Sequence, residues 1–397
     1  MLIEFSVNNF RSIKDMQTLS FLATAINAHE KTNVFAVTEN TRLLKSTCVY
    51  GANGSGKSNL IKAMWAMLGF VKAPFEDRKK FNEHIQPFKL STATRNEGSF
   101  FQIVFIVEAK TYRYGFVYLN GEIVSEWLFG TANKNEVAYF TREGNNIFTN
   151  RERFKEGIGL ESKTREDTLF LNAVYAFNGR ITALIRTFLD QILVIRGFES
   201  SFEKTLKDFS RTVLKEKYDK KRFLEILKIA DADIFDVYLE EHTNRIISQR
   251  KLYDEYGQEA GVVNLIFEEE ASEGTKKIFN FAGVFARLMK SGGTIIIDEF
   301  DARFHTLLTR AIVKLFNSEK NKAAQLCFAT HDTNLLDNDL LRRDQIYFAE
   351  KNQRGETSIY SLNEIKGVRN DFPLEKDYIK GKYGAVPFIK NLNNIFD

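Results

Sequence analysis

The spacing of hydrophobic residues changes period several times along the chain, and each change predicts an element. Leu2, Ile3, Phe5 and Val7 alternate as a strand, and Ser46 to Tyr50 form an apolar strand that runs straight into a glycine-rich loop. From Asn59 to Val71 apolar residues recur every three or four positions, as on a helix that buries one face. Between residues 88 and 140 alternation returns in the runs FFQIVFIV, TYRYGFVYL and EIVSEWLF. The last two are joined at Asn120-Gly121, a pair whose tolerance of positive φ suits a tight hairpin. An antiparallel meander is therefore expected after the first long helix.

Residues 180 to 255 are charged and helical in spacing, which predicts a compact helical insertion; sustained heptads, which a coiled coil needs, do not occur. From about residue 262 the apolar runs VVNLIF, GTIIIDEF, AAQLCFAT and DQIYFAE alternate with helical stretches such as TKKIFNFAGVFARLMK. That alternation predicts a parallel α/β sheet. The four prolines mark no linker and no internal repeat occurs, so boundaries follow pattern alone. The expected division is a first part of an α/β core with its meander at 1–175, the helical insertion at 176–258, and the rest of the core at 259–397.

Bulk properties narrow the class. A chain of 397 residues with 44% hydrophobic and 27% charged residues can bury a sizeable core and is not a disordered or fibrous protein. A net charge of +4 among 56 basic and 52 acidic residues neither demands nor excludes nucleic acid. Cys48 and Cys327 lie far apart in apolar contexts, as core thiols of a reduced chain do. No apolar stretch reaches the roughly 18 to 20 residues of a membrane helix, and the start MLIEFSVNNFRSIKD lacks the form of a secretion signal. The expectation is a soluble cytoplasmic protein without membrane partners.

Chemistry concentrates at four places. Gly51-Ala52-Asn53-Gly54-Ser55-Gly56-Lys57-Ser58, followed by Asn59, matches the phosphate-binding pattern G-x-x-x-x-G-K-[ST] between a strand and a helix. Its glycines let backbone N–H groups curl around a phosphate at a helix N-terminus, Lys57 can neutralise β- and γ-phosphates, and the Ser58 hydroxyl can ligate Mg²⁺. Gly293 to Phe300 reads as a buried strand that delivers Asp298 and Glu299 to its carboxyl edge, where the first suits Mg²⁺ and the second a general base for water. Ser272-Glu273-Gly274 opens a helix and offers a hydroxyl and bare N–H groups; alone it reads as an N-cap, and its place just before the Asp298 strand makes it a phosphate contact. His331 follows the apolar run 326–330, where a sheet presents its ligand edge.

In this order the motifs resemble an ATPase head of the ABC type, the group that includes RecF, SMC and the overcoming-lysogenization-defect nucleases. More closely, NNFRSIKD (8–15), TLFLNAV (168–174), EASEGTKKIF (270–279), DEFDARFH (298–305), THDTNLLD (330–337), RRDQIYFAEK (342–351) and GKYGAVPF (381–388) resemble bacterial AAA-ATPase-like proteins of abortive-infection and anti-phage islands, such as the RloA type. The resemblance implies an α/β P-loop NTPase of ABC-ATPase-head type, with the meander as a lobe and the helical insertion. It implies ATP and Mg²⁺ as cofactors, with Lys57 and Ser58 on the phosphates and metal, Asp298 as the second metal residue, Glu299 as the catalytic carboxylate and His331 as the switch histidine. Ser272, Glu273 and Gly274 match the signature that caps the ATP of the opposite protomer, and Asp301 the loop that crosses the dimer interface. The signature here is Ser-Glu-Gly rather than Ser-Gly-Gly, and Ala271 replaces a common acidic residue. Arg11 either touches the nucleotide or is a solvated turn arginine. Gln86 and the Asn172 region are both open as the glutamine-loop position.

An outward-pointing signature implies a homodimer or higher homo-oligomer around ATP. Only 66 residues follow His331, without acids at metal-ligand spacing, so effector chemistry is expected from a separately encoded partner. The first reading is thus the sensor ATPase of an anti-phage system. The alternative is a DNA repair or recombination clamp, whose basic face would come from Arg78-Lys79-Lys80, Lys215 to Arg222 or Lys276-Lys277, although acids interleave with each. A third is a switch scaffold that binds ATP and barely hydrolyses it.

Overall fold

The computed structural model describes residues 1–386 apart from residues 40, 74–80, 133–134, 197–199 and 370–371. Arg78, Lys79 and Lys80, and the last two residues of the 381–388 stretch, lie outside the described residues.

The antiparallel meander extends further than the alternation suggested. Strands β1 (Leu2–Asn8) and β2 (Gln17–Ser20) join β6 (Ser99–Val107), β7 (Lys110–Leu119), β8 (Glu122–Ala132), β9 (Asn135–Glu143) and β10 (Asn146–Thr149) in a seven-stranded sheet of order β10-β9-β8-β7-β6-β1-β2. Asn120-Gly121 forms the β7–β8 turn with both residues at positive φ. A small pair, β3 (Val34–Ala36) and β4 (Arg42–Leu44), packs nearby.

The second sheet is the α/β core. Its six strands run in the order β11-β15-β16-β5-β17-β18, where β5 is Ser46–Tyr50, β11 Ile192–Ile195, β15 Gly293–Ile297, β16 Ala324–Ala329, β17 Ile346–Lys351 and β18 Thr357–Ser361. All neighbours are parallel except β17 and β18. Side chains of these strands alternate between two cores. Val49, Ile296, Cys327, Ala329, Tyr347 and Ala349 face a core shared with the antiparallel sheet and with helix α1 (Lys57–Lys72). Cys48, Tyr50, Ile295, Ile297, Phe328 and Phe348 face a core built with helices on the far side. Burial on both faces explains the unbroken apolar runs in the sequence.

Helix α1 is thus clamped between two sheets, with Phe70 against Phe116 at 5.5 Å and Tyr118 at 5.3 Å. Helices α2 (Phe170–Ala176) and α3 (Arg180–Asp190) secure its far end: Asn172 donates to Val71 O at 3.0 Å, and Arg186 to Val71 O at 2.8 Å and Lys72 O at 3.0 Å. These bonds satisfy carbonyls that the last helical turn leaves open. Buried Gln325 on β16 exchanges two bonds with Leu2, 2.7 Å to its N–H and 2.9 Å to its carbonyl, and so couples the two sheets.

The segment read as a helical insertion is only partly helical. Helices α4 (Ser200–Lys215) and α5 (Lys217–Leu227) occur as expected, but β11 precedes them and pairs with β15 inside the core sheet. Beyond them β12 (Ile234–Leu239), β13 (Ile246–Tyr253) and β14 (Glu259–Ile266) form a three-stranded antiparallel sheet. The run VVNLIF, expected in the parallel sheet, lies in β14 and its following turn. Only the inner half of β13 is buried, so its outer residues Lys251 to Tyr253 face solvent and carry no strand-like alternation. Helices α6 (Glu273–Ser291) and α7 (Thr306–Phe316) complete the far layer. Helix α4 meets α6 at Ser210, whose hydroxyl donates to Phe279 O at 2.8 Å and accepts from Gly283 N at 3.1 Å; a Cβ on Gly283 would stand 2.6 Å from that hydroxyl.

One buried polar centre holds the antiparallel sheet to α2. Glu126 accepts from the Phe170 N–H at 2.5 Å, the Leu171 N–H at 3.0 Å and the Tyr114 hydroxyl at 3.0 Å, and Arg142 lies 4.0 Å away, with both charged side chains fully buried. Glu126→Leu leaves the buried Arg142 guanidinium, whose hydrogen bonds go to backbone carbonyls, without a counter-ion and two helix N–H groups without their acceptor, so a loss of about 3–5 kcal/mol is expected in chemical or thermal unfolding. A loss below 1 kcal/mol would show that this centre is not structural.

Candidate functional site

The carboxyl ends of β5, β15, β16 and β17 converge on one cleft of about 270 Å³. Its lining is Asn53, Gly54, Ser55, Gly56, Lys57, Ser58, Asn59, Lys62, Asp298, Glu299, Ala329, Thr330, His331 and Lys351. The sheet order places β16 between β15 and β5, so motifs far apart in sequence arrive at one edge.

The loop between β5 and α1 is shaped by close backbone approaches. Gly51, Gly54 and Gly56 all have positive φ. A Cβ on Gly56 would meet the Thr357 hydroxyl at 2.1 Å, and one on Gly51 the Ala349 carbonyl oxygen at 2.3 Å. Thr357 at the start of β18 therefore acts as a ledge: its hydroxyl donates to Ser55 O at 2.9 Å and contacts the Ser12 hydroxyl at 2.8 Å. Ser12 in turn receives the Asn59 amide at 2.6 Å and gives its carbonyl to the Thr357 N–H at 2.7 Å. The sequence reading did not single out Ser12 or Thr357.

Lys57 is 6% exposed and donates to the carbonyls of Gly51 at 2.7 Å and Ala52 at 3.1 Å. Burial lowers its pKa to about 8, opposed by the fields of Asp298, Asp301 and Glu299. The Ser58 hydroxyl donates to Asp298 Oδ1 at 3.2 Å, and that same oxygen accepts the Glu299 N–H at 3.1 Å. A hydroxyl and a buried carboxylate at this separation form an oxygen donor set that fits a hard divalent cation such as Mg²⁺.

Glu299 is exposed at the strand end in the left-handed region, φ 51° and ψ 51°. Such a conformation is costly for a residue other than glycine, asparagine or aspartate, and it aims the carboxylate into the cleft from the turn after β15. Asp301 does not line the cleft; its Oδ1 accepts from the Thr330 hydroxyl at 2.8 Å and the His331 N–H at 3.1 Å, which fixes the histidine loop. The His331 pKa is lowered by burial and by the Lys57 charge, against the pull of Asp301, Glu299 and Asp298. The ring is accordingly neutral at pH 7 and retains one N–H to donate. Because its folded pKa lies below the unfolded value, its contribution favours folding at neutral pH and is lost as pH falls below about 6.5.

Other sequence candidates lie elsewhere. Ser272 caps α6, accepting from the Thr275 N–H at 3.1 Å; Glu273 pairs with Lys276 at 2.9 Å; a Cβ on Gly274 would make only an ordinary 3.7 Å contact with the Ser272 hydroxyl. These three residues are exposed and do not line the cleft of their own chain. Arg11 is turned toward the 84–86 loop, with its N–H on Gln86 O at 2.8 Å and its guanidinium on His84 O at 3.4 Å, and it does not line the cleft. Neither Gln86 nor Asn172 lines it either; Asn172 is spent on the end of α1. The lysines the sequence did not nominate are Lys62, one helical turn beyond the loop, and Lys351, at the end of β17. Lys62 falls on the helix face that Ser58 occupies, a signal available from spacing alone.

Residues 46–337 match the protein family described as "AAA domain, putative AbiEii toxin, Type IV TA system". The chain belongs to this family. It is an AAA-type P-loop protein of an ATP-binding family. Among solved structures it is similar to the SMC head domain from Thermotoga maritima, at 14% identity and a TM-score of 0.44, over 91% of this chain and 98% of that one. It is also similar to an SMC head bound to the C-terminal winged-helix domain of ScpA, at 16% identity, TM-score 0.46, over 91% and 97% of the two chains. An SMC head with an extended coiled coil, bound to a ScpA C-terminal domain derived from Pyrococcus furiosus, matches at 13% identity, TM-score 0.44, over 91% and 96%. A search of curated proteins gives no match. Among the described residues no helix is long and apolar enough to cross a membrane.

Two expectations follow from the cleft. A bound triphosphate should return the Lys57 pKa toward its ordinary value, so nucleotide binding should take up protons above pH 8 and weaken as pH rises through that value. Titration calorimetry at pH 8.5 in buffers of different ionisation heat measures this; equal uptake by Lys57→Arg, which stays charged, would assign the proton to another group. Separately, Glu299→Asn should raise thermal stability by about 0.5–1 kcal/mol, because asparagine tolerates the left-handed region and the exposed side chain loses no packing. An unchanged or lower melting temperature would show that the turn stores no strain.

Proposed function

We propose that this chain binds Mg·ATP in the cleft and hydrolyses it between two copies of itself. The observation that carries the reading is the 3.2 Å approach of Ser58 Oγ to Asp298 Oδ1, with Lys57, Glu299 and His331 on the same cleft. Ser58 and Asp298 would hold the metal, which supplies neutralising charge at the β- and γ-phosphates. The glycine loop turns N–H groups toward the phosphates, and Lys57 leaves its loop carbonyls to bridge β and γ. Glu299 orients a water and accepts its proton, and neutral His331 donates to the γ-phosphate.

The exposure of Ser272, Glu273 and Gly274 supports a head-to-tail pair in which the signature of one chain completes the site of the other, with Asp301 next to the seam. ATP then holds the pair together and hydrolysis releases it. The family description names an AbiEii toxin and a type IV TA system, which supports a role in anti-phage defence; the reading adds that this ATPase acts in the cytoplasm and governs a separately encoded effector. The DNA-clamp reading draws less support: Lys220 is paired with Asp236 at 2.8 Å and Lys276 with Glu273 at 2.9 Å.

Glu299→Gln is the decisive variant. Turnover should fall by about 10²- to 10⁴-fold, the usual worth of a general base, while ATP binding persists and the dimer accumulates in analytical ultracentrifugation. Adding Ser272→Arg should abolish that dimer without loss of ATP binding. Wild-type turnover in the first variant removes Glu299 from the mechanism, and a persistent dimer in the second removes the signature from the interface.

A further inference from the structure

On the far side of the core sheet, remote from the cleft, helices α5, α6 and α7 leave a groove of about 950 Å³ between them. Its floor is apolar: Ile226 from α5, Met289 from α6 and Leu315 from α7. Its rim is cationic. Lys221, Arg222 and Lys320 line it, and among the described residues none of the three side chains has a hydrogen bond or an ion pair. Lys290, also on the rim, is already paired with the buried carboxylate of Asp219 at 2.8 Å. Among the described residues Glu225 is the one acid that lines the groove, and it is engaged by Lys228 at 3.6 Å. The basic run at 215–222 in the sequence therefore resolves into two kinds of residue: Lys220, spent on Asp236, and the pair Lys221–Arg222, turned to the groove.

An apolar floor of this size beneath unpaired cations is matched to one ligand chemistry. A free phosphate or a nucleic-acid backbone would leave the floor wet, and a neutral apolar compound would leave the cations unused. We propose that the groove is a binding site for an anionic amphiphile: an acyl or aryl body seated on Ile226, Met289 and Leu315, with its carboxylate, sulfonate or phosphate held by Lys221, Arg222 and Lys320. The volume lies in the range that takes a single ligand of ordinary size. The site also has a defined relation to the signature. Met289 and Ser272 sit at opposite ends of the same helix, which Ser210 keys to α4, so an occupant presses on the end of the rod whose other end offers Ser272.

The probe is 8-anilinonaphthalene-1-sulfonate, an aryl anion that fluoresces when desolvated, compared with neutral N-phenyl-1-naphthylamine, which has the same ring system without the charge. Wild-type protein should bind the sulfonate saturably, one per chain and more tightly than the neutral probe. Lys221→Glu combined with Arg222→Glu should weaken it about tenfold, as expected for about 1.4 kcal/mol from two reversed contacts. Both positions are exposed, so the fold should survive, which the melting temperature checks; Lys221→Gln with Arg222→Gln should fall between. Lys57→Met, at the cleft, and Lys155→Glu with Lys163→Glu, on the antiparallel lobe, should leave binding unchanged. Equal affinity for the two probes, or full sulfonate binding in the charge-reversed protein, would overturn the proposal. Stoichiometric displacement of the sulfonate by a short DNA duplex would overturn it in favour of a nucleic-acid surface.

Discussion

A loop that offers its N–H groups to a ligand cannot spend them on secondary structure, so something else must hold it still. Here the restraint comes from outside the loop. Thr357 presses against the α-carbon of Gly56 so closely that no side chain fits, and its hydroxyl fastens Ser55 and Ser12. Ser12 fastens Asn59. The loop is thereby wedged between the first turn of the chain and the start of β18, and its conformation is imposed by partners rather than by its own glycines. The glycines are what make so close a wedge possible.

Around this wedge the cleft accumulates local costs that the two cores offset. A lysine is buried without a carboxylate hydrogen-bonded to it, a glutamate is held in a left-handed turn, and a histidine is kept neutral beside three acids. Each feature is unfavourable for folding and useful for handling a polyphosphate. Double burial of the parallel strands supplies the rigidity that tolerates them. Because Val49 and Cys48, or Ile296 and Ile297, point into opposite cores, no strand of the central sheet can shift toward one face without disturbing both.

The parts legible in the sequence are those whose chemistry is local. The glycine loop, the Asp298-Glu299 strand end and His331 each sit on an apolar run that betrays its strand, and the structure brings all of them to one cleft. The parts that escaped depend on distant register. Thr357 looks like any strand threonine until β17 and β18 place it under Gly56, and Ile192–Ile195 is a four-residue apolar run too short to separate from the helices around it. The three-stranded sheet at 234–266 was hidden because its outer half is solvated on both faces, which removes the alternation that marks a strand. Arg11 shows the converse: open in the sequence as a nucleotide contact or a solvated turn arginine, it instead turns its guanidinium to the His84 carbonyl.

The wedge also has a temporal aspect. Ser55 and its ledge at Thr357 are separated by 302 positions, so a growing chain emits its phosphate loop long before the part that shapes it. The central sheet shares this order, because β5 is flanked in space by β16 and β17, both made hundreds of residues later. Until those strands emerge, the antiparallel sheet can condense around α1 while the loop remains shapeless. Until β18 has been made, a chain that already carries the whole glycine motif lacks the ledge that shapes it.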